Sequence, residues 1–292
     1  MQGVLVVDKP QGLTSHDVVA VARRALGETR IGHTGTLDPL ATGVLPLAID
    51  RATRLVRFLT ASDKDYAAVI RFGVTTDSYD ITGAETSRTD EIPSRDAIVA
   101  AIAALTGEYL QEPPAFSAKK IAGQRAYDLA RKSKPVALRP VPVRVGRADL
   151  IDVAAGRAHV TLTCSAGFYV RAFAHSLGHI TGTGACLEAL RRTRSGAFTL
   201  DTAVSMTSLQ DHASVAASLV PLEALLPHVP AVSLTERGRV HVAHGRELGP
   251  DDYAPTMTDS DWVRLFDLSG ALVALASPGQ TPGALHPSVV LI

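Results

Sequence analysis

Cysteine is scarce in this chain: 292 residues hold only Cys164 and Cys186, and they form no CxxC pair. That excludes a disulfide framework and a cysteine-based metal site, and it fits a reducing compartment. The ten histidines are scattered without ligand spacing, so no metal is expected. No run of about 18 apolar residues occurs, which excludes a helical membrane span. A basic stretch followed by an apolar one is missing from the N-terminus, so no signal peptide is expected and the predicted compartment is the cytoplasm. No repeat of solenoid period appears. Net charge is lacking too, with 29 basic residues against 29 acidic ones.

The zero conceals an asymmetry. Residues 1–210 hold 25 Lys and Arg against 20 Asp and Glu, whereas residues 211–292 hold 4 against 9. The sharpest excess runs from Lys119 to Arg147, with nine basic residues (Lys119, Lys120, Arg125, Arg131, Lys132, Lys134, Arg139, Arg144, Arg147) and a single acid, Asp128. Such a segment is either a solvated face or a phosphate-binding footprint. A hydrophobic content of 46% is ample for a core, and the length suits one large domain with a small one.

Periodicity and capping residues outline the elements. Val4 to Val7 reads as a strand. Ser15 to Leu26 reads as a helix capped by Ser15 and closed by Gly27, and Arg95 to Thr106 as one capped by Ser94 and closed by Gly107. Lys64 to Phe72 is a predicted strand, and Ala126 to Lys132 a short basic helix. Val141 to Val153 and His159 to Ser165 alternate like paired strands around Ala154-Ala155-Gly156. Val170 to Leu177 and Ala216 to Leu226 read as helices. Val263 to Leu268 and Ala271 to Ala276 read as strands joined at Ser269-Gly270. Strands and helices interleave without a regular βαβ rhythm. The expected class is therefore α+β, with a mixed, largely antiparallel sheet flanked by helices.

The most informative stretch is Gly32-His33-Thr34-Gly35-Thr36-Leu37-Asp38-Pro39-Leu40-Ala41-Thr42-Gly43, ahead of the apolar run Val44 to Ile49. Its glycines point to a loop, with one carboxylate at the centre. An acid on a stiff loop anchored by regular structure can be a positioned nucleophile or base. Asp before Pro can equally do no more than order its own turn.

This loop resembles the catalytic motif of the TruB family of tRNA pseudouridine synthases. Other segments carry the same resemblance in order: Gly3 to His16, Pro113-Pro114-Ala115-Phe116-Ser117-Ala118-Lys119-Lys120, Gly167-Phe168-Tyr169-Val170-Arg171, and Leu190-Arg191-Arg192-Thr193-Arg194-Ser195-Gly196. It covers Gly3 to about residue 230. It implies a catalytic domain over 1–228 with a basic RNA-binding segment near 117–147. A small β-barrel-like domain of PUA type is implied over 229–292. The acidic pairs Asp251-Asp252 and Asp259 with Asp261 argue against strong phosphate binding by that tail, and a structural cap fits it equally well.

The implied reaction converts the T-loop uridine of tRNA, conventionally position 55, to pseudouridine. It breaks an N-glycosidic bond, turns the uracil and makes a C–C bond without redox change, so no cofactor is expected. Asp38 would be the essential group, whether it attacks C1′, attacks the base or removes a ribose proton. Arg171 would pair with it and keep it ionised. Tyr66 would be the active-site tyrosine and Leu190 a wall of the uracil pocket. His33 would fill the gap left by extruded bases, and its bland alternative is a bond within its own turn. Lys9, Lys119, Arg131, Arg191 and Arg192 are further substrate-binding candidates. The expected partner is tRNA, engaged by a monomer of the stand-alone bacterial type without an obligatory protein partner. Asp50, Phe168 and Cys186 depart from the family pattern, where Gly, Thr and His are common.

Overall fold

The computed structural model describes residues 1–115, 139–254 and 260–292, together with the backbone of 120–121 and 124–125. Lys119, Arg131 and the expected helix Ala126 to Lys132 lie outside the described residues.

The first half runs β1 (Gly3–Lys9), α1 (Ser15–Leu26), β2 (Ile31–His33), β3 (Thr42–Ile49), a 3-10 turn (Asp50–Leu55), α2 (Val56–Thr60) and β4 (Lys64–Phe72). A small hairpin of β5 (Val74–Thr76) and β6 (Glu85–Arg88) follows, then α3 (Arg95–Ala104), β7 (Gly107–Gln111), and the short β8 (Lys120–Ile121) and β9 (Gln124–Arg125). After these come β10 (Val141–Ala154), β11 (Arg157–Cys164), α4 (Val170–Thr181), β12 (Ala185–Ser195), β13 (Phe198–Thr199) and α5 (His212–Ser218). Among the described residues one nine-stranded sheet has the order β1-β3-β12-β4-β11-β10-β7, with β2 added on β3 and β13 on β12. Its pairs are antiparallel except β12 with β3, where Arg191 lies beside Thr42 and Arg192 beside Gly43. The expected α+β class with a mixed, largely antiparallel sheet is what forms.

Burial explains the two apolar runs. In β1 and β3 the odd-numbered Leu5, Val7, Leu45, Leu47 and Ile49 join the core beneath α1, α3 and α4. The even-numbered Val4, Val6, Val44 and Ala48 enter a second core with Leu222, Leu225, Leu272, Leu275 and Leu291. Strands buried on both faces read as unbroken hydrophobic sequence, and half-exposed strands alternate. β4 is of the second kind, with Ala68, Ile70 and Phe72 facing the core.

Two sequence expectations change at element ends. The cap of α1 is Thr14, not Ser15: the Thr14 hydroxyl accepts from Asp17 N–H at 3.0 Å, and Asp17 accepts from Thr14 N–H at 2.9 Å. Ser15 is thereby turned inward. The predicted helix Ala216 to Leu226 is also replaced, by α5 ending at Ser218 and a 3-10 turn at Leu222–Ala224. Between them Val220 exchanges backbone hydrogen bonds with Val4 at 2.8 and 2.9 Å, and Pro221 follows, so no helix can continue. The β10–β11 turn sits where expected, with Ala155 and Gly156 both at positive φ.

The tail folds as β14 (Ala231–Ser233), α6 (Glu236–Ala243), β15 (Val263–Phe266), β16 (Leu272–Pro278) and β17 (Leu285–Val290). These strands form a four-stranded sheet in that order, and it does not close into a barrel among the described residues. The barrel-like expectation is corrected to an open sheet. One side of it packs on β1 and β3, and its other side forms a separate core with Val232, Leu234, Val242, Val263 and Leu265. Arg264 reinforces the junction by donating to the carbonyls of Val229 at 2.9 Å and Leu225 at 3.2 Å. The acidic pair expected to repel phosphate is partly internal: Asp252 is buried and accepts from Arg237 at 2.7 Å.

Candidate active site

The loop between β2 and β3 presents Asp38, and several side chains hold that loop from behind. Ser15 Oγ accepts from Leu37 N–H at 2.8 Å and donates to Leu37 C=O at 3.1 Å, which fixes the residue next to Asp38. Arg192, 1% exposed, donates to Val44 O at 2.7 Å, Gly35 O at 3.1 Å and Thr36 O at 3.5 Å. Gly43 lets β12 approach: a Cβ there, at φ 101°, would stand 2.2 Å from Arg192 O. Lys9 is fully buried, and its ammonium donates to Pro10 O at 2.9 Å and to Leu13 O. Burial pulls its pKa down to about 8, opposed by the nearby negative charge of Asp38.

Arg171, in the first turn of α4, closes on Asp38 from the other side. Its Nε donates to Asp38 Oδ2 at 2.8 Å and its Nη2 to Oδ1 at 3.3 Å, a bidentate fork. Nη1 donates to Ser78 O at 2.9 Å, and Asp80 Oδ2 lies 3.6 Å from Nε. The guanidinium is only 6% exposed, whereas the Asp38 side chain is 40% exposed. The cation is inside and the carboxylate faces outward.

Both open onto a cleft of about 240 Å³ also lined by Tyr66, Lys64, Phe168, Tyr169 and Leu190. Register on neighbouring strands brings two of these together: Tyr66 of β4 pairs with Arg192 of β12, and Ala68 with Leu190. Burial pushes the Tyr66 phenol pKa up, partly opposed by the Arg192 charge. Lys64 is buried at the cleft edge, its ammonium donating to Thr60 O and Ser62 O, with its pKa drawn down to about 8 by burial.

The structure thus brings together Asp38, Arg171, Tyr66 and Leu190. Lys9 and Arg192, expected to bind substrate, are both buried and donate to backbone carbonyls of the segments they support, and Arg192 also lines the cleft. Arg191 pairs bidentately with Asp8 at 3.0 and 2.8 Å on a half-exposed face. His33 ends a strand instead of lying in a free loop, and its Nδ1 accepts from Gly35 N–H at 3.4 Å. Its pKa is lowered, chiefly by burial. Three further residues at the site are hidden in the sequence: Ser15 reads as a helix cap, Lys64 stands two residues before Tyr66, and Asp80 lies in the polar stretch Asp77 to Gly83. That last stretch was the available signal, a polar run with glycine between two short strands. Asp50, where the family commonly has Gly, adopts φ 53°, a conformation that Asp tolerates.

A mixed sheet carrying a loop aspartate forked by a buried arginine, beside a tyrosine-walled cleft, defines a cleft enzyme whose loop carboxylate faces the ligand space. Comparison with known proteins makes this specific. Residues 23–170 match the family described as TruB family pseudouridylate synthase (N terminal domain), and residues 171–227 match tRNA pseudouridylate synthase B C-terminal domain. A relative from Solibacter usitatus (strain Ellin6076), named tRNA pseudouridine synthase B, is 42% identical over all of both chains. One of the same name from Mycobacterium sp. (strain KMS) is 44% identical over 91% of this chain and 92% of its own. Among solved structures, an H/ACA RNP bound to a substrate RNA containing 2′-deoxyuridine is similar with TM-score 0.76 and 26% identity, covering 99% of this chain and 85% of that one. A Cbf5–Nop10–Gar1 complex matches with TM-score 0.76 and 27% identity, with the same coverage. The chain belongs to the TruB family of pseudouridylate synthases.

Proposed function

We propose that this chain is a tRNA pseudouridine synthase that isomerises the T-loop uridine, position 55. The observation that carries the reading is the bidentate Asp38–Arg171 pair at the mouth of the cleft. The reaction breaks N1–C1′, rotates the uracil, joins C5 to C1′, removes the C5 proton and protonates N1. Its electrons balance without an oxidant or cofactor. Arg171 holds the Asp38 carboxylate aimed outward through two hydrogen bonds, and Asp38 starts the reaction at the nucleoside. Tyr66 retains its proton because burial raises its pKa. Its ring offers a stacking face for the detached uracil, and its hydroxyl a proton path. Leu190 closes the pocket wall.

A T-loop buries its glycosidic bonds, so the uridine must be extruded. His33 is the gap-filling candidate. His33→Ala should then slow the reaction on a folded T-arm more than on a flexible RNA of the same loop sequence, and equal losses would leave it as a loop-ordering residue. Lys119, Arg131 and Arg191 supply phosphate contacts. The tail serves as a PUA-type unit, and the protein acts as a stand-alone monomer in the cytoplasm. Mapping pseudouridine in an unmodified tRNA transcript after incubation with the purified chain tests the reading, with sedimentation reporting the oligomeric state. Modification at the T-loop uridine is expected. A transcript left unmodified overturns the proposal.

A further inference from the structure

Gln111 is the last residue of β7 and only 3% exposed. Its side-chain amide grips one residue through both of that residue's backbone groups. Gln111 Oε1 accepts from Tyr169 N–H at 2.8 Å, and Gln111 Nε2 donates to Tyr169 C=O at 3.1 Å. Tyr169 C=O also accepts the first helical bond of α4, from Phe173 N–H at 3.1 Å. Tyr169 is the N-cap of α4 and makes no capping bond with its own side chain, while Gly167 just ahead of it turns at φ 81°. The amide therefore pins two successive peptide planes at the point where a glycine turn becomes the helix. Arg171 stands two residues further on.

We infer that Gln111 is a positioning residue for the Arg171 guanidinium, acting through the backbone of Tyr169. The inference rests on the function proposed above. An apolar residue of similar size at 111 would remove both of these bonds to the Tyr169 backbone and loosen the start of α4. Arg171 reaches Asp38 through a fork whose two bonds need a fixed plane, and a misplacement of about 1 Å can cost about a hundredfold in rate. A second consequence follows from position. Gln111 immediately precedes Glu112-Pro113-Pro114 and the basic segment, so the root of that segment and the active-site arginine share one side chain.

The test measures single-turnover pseudouridine formation and tRNA affinity for the parent, Gln111→Leu, Arg171→Lys and the double variant. Gln111→Leu is expected to slow the chemical step at least tenfold with tRNA Kd within twofold. In the Arg171→Lys background the same change should cost less than twofold, because the geometry it protects is already lost. An unaltered rate, a loss confined to Kd, or the same loss in both backgrounds would overturn the inference. A crystal structure of Gln111→Leu gives a readout independent of turnover: Arg171 Nε should leave hydrogen-bonding distance of Asp38, and an intact 2.8 Å contact would refute the role. An inactive parent counts against the proposed function alone, since the crystallographic arm still decides the positioning role. Should Gln111→Leu not fold, Gln111→Glu carries the same measurements, because an ionised carboxylate accepts from Tyr169 N–H but has no proton for Tyr169 C=O.

Discussion

At the scale of single residues the site is asymmetric. Arg171 is shut in with Asp80 and the Ser78 carbonyl, so its charge is fixed in place whether or not a ligand is present. Asp38 carries the exposed half of the pair, where a nucleoside can reach it. Asp38→Asn keeps the shape but removes the charge; it should lower the single-turnover rate at least about a thousandfold, roughly 4 kcal/mol, while tRNA binding persists. Turnover within tenfold of the parent would reject Asp38 as the reacting group. Lys9 offers a test by pH. Its folded pKa is near 8, below the ordinary 10.5. Between these values the unfolded chain holds the proton and the folded chain releases it, so stability rises with pH across that window. Lys9→Met abolishes this share, so the stability gap between parent and variant should grow in the parent's favour from pH 8 to 10 in denaturant titrations. Parallel profiles would show that Lys9 is not desolvated.

At the scale of elements, the Asp38 loop is a span between β2 and β3, clamped by Ser15 from α1 and by Arg192 from β12. Gly43 is where that clamp is tightest, since the parallel β3–β12 contact leaves no room for a methyl group. Gly43→Ala should destabilise the fold by about 2–3 kcal/mol, combining an unfavourable positive φ with a backbone clash. Chemical denaturation measures this; a change below about 0.5 kcal/mol would mean that β3 and β12 part easily. The expected cap at Ser15 failed for an instructive reason. Thr14, Ser15 and Asp17 all suit helix starts, and only the reciprocal bond from Asp17 back to Thr14 selects one register. The predicted helix through Pro221 failed because Val220 is captured by the edge of β1, a partner more than 200 positions away in sequence.

At the scale of the whole molecule, no helix of the described residues is long and apolar enough to cross a membrane. The tail sheet shares a core with β1 and β3, and charge divides between a basic body and an acidic tail. If the basic segment tracks RNA phosphates, reversing Lys119, Arg131 and Lys132 to Glu should weaken tRNA binding. It should also flatten the slope of log Kd against log salt by up to about one unit per lost contact. Unchanged affinity and slope would make the segment a solvated face. The sequence by itself determined the α+β class, most strand and helix centres, and the asymmetry of charge, and its motifs singled out Asp38, Tyr66 and Arg171, which line one cleft. These are local properties: alternation, capping chemistry and motif spacing are written within a few residues. Only the tertiary structure decided that Lys9 and Arg192 are buried, that Ser15, Lys64 and Asp80 stand around the Asp38–Arg171 pair, that Gln111 grips Tyr169, and that the tail sheet is open among the described residues. A side chain's partner depends on which strand lies beside it, and that neighbour is set by packing across the whole chain.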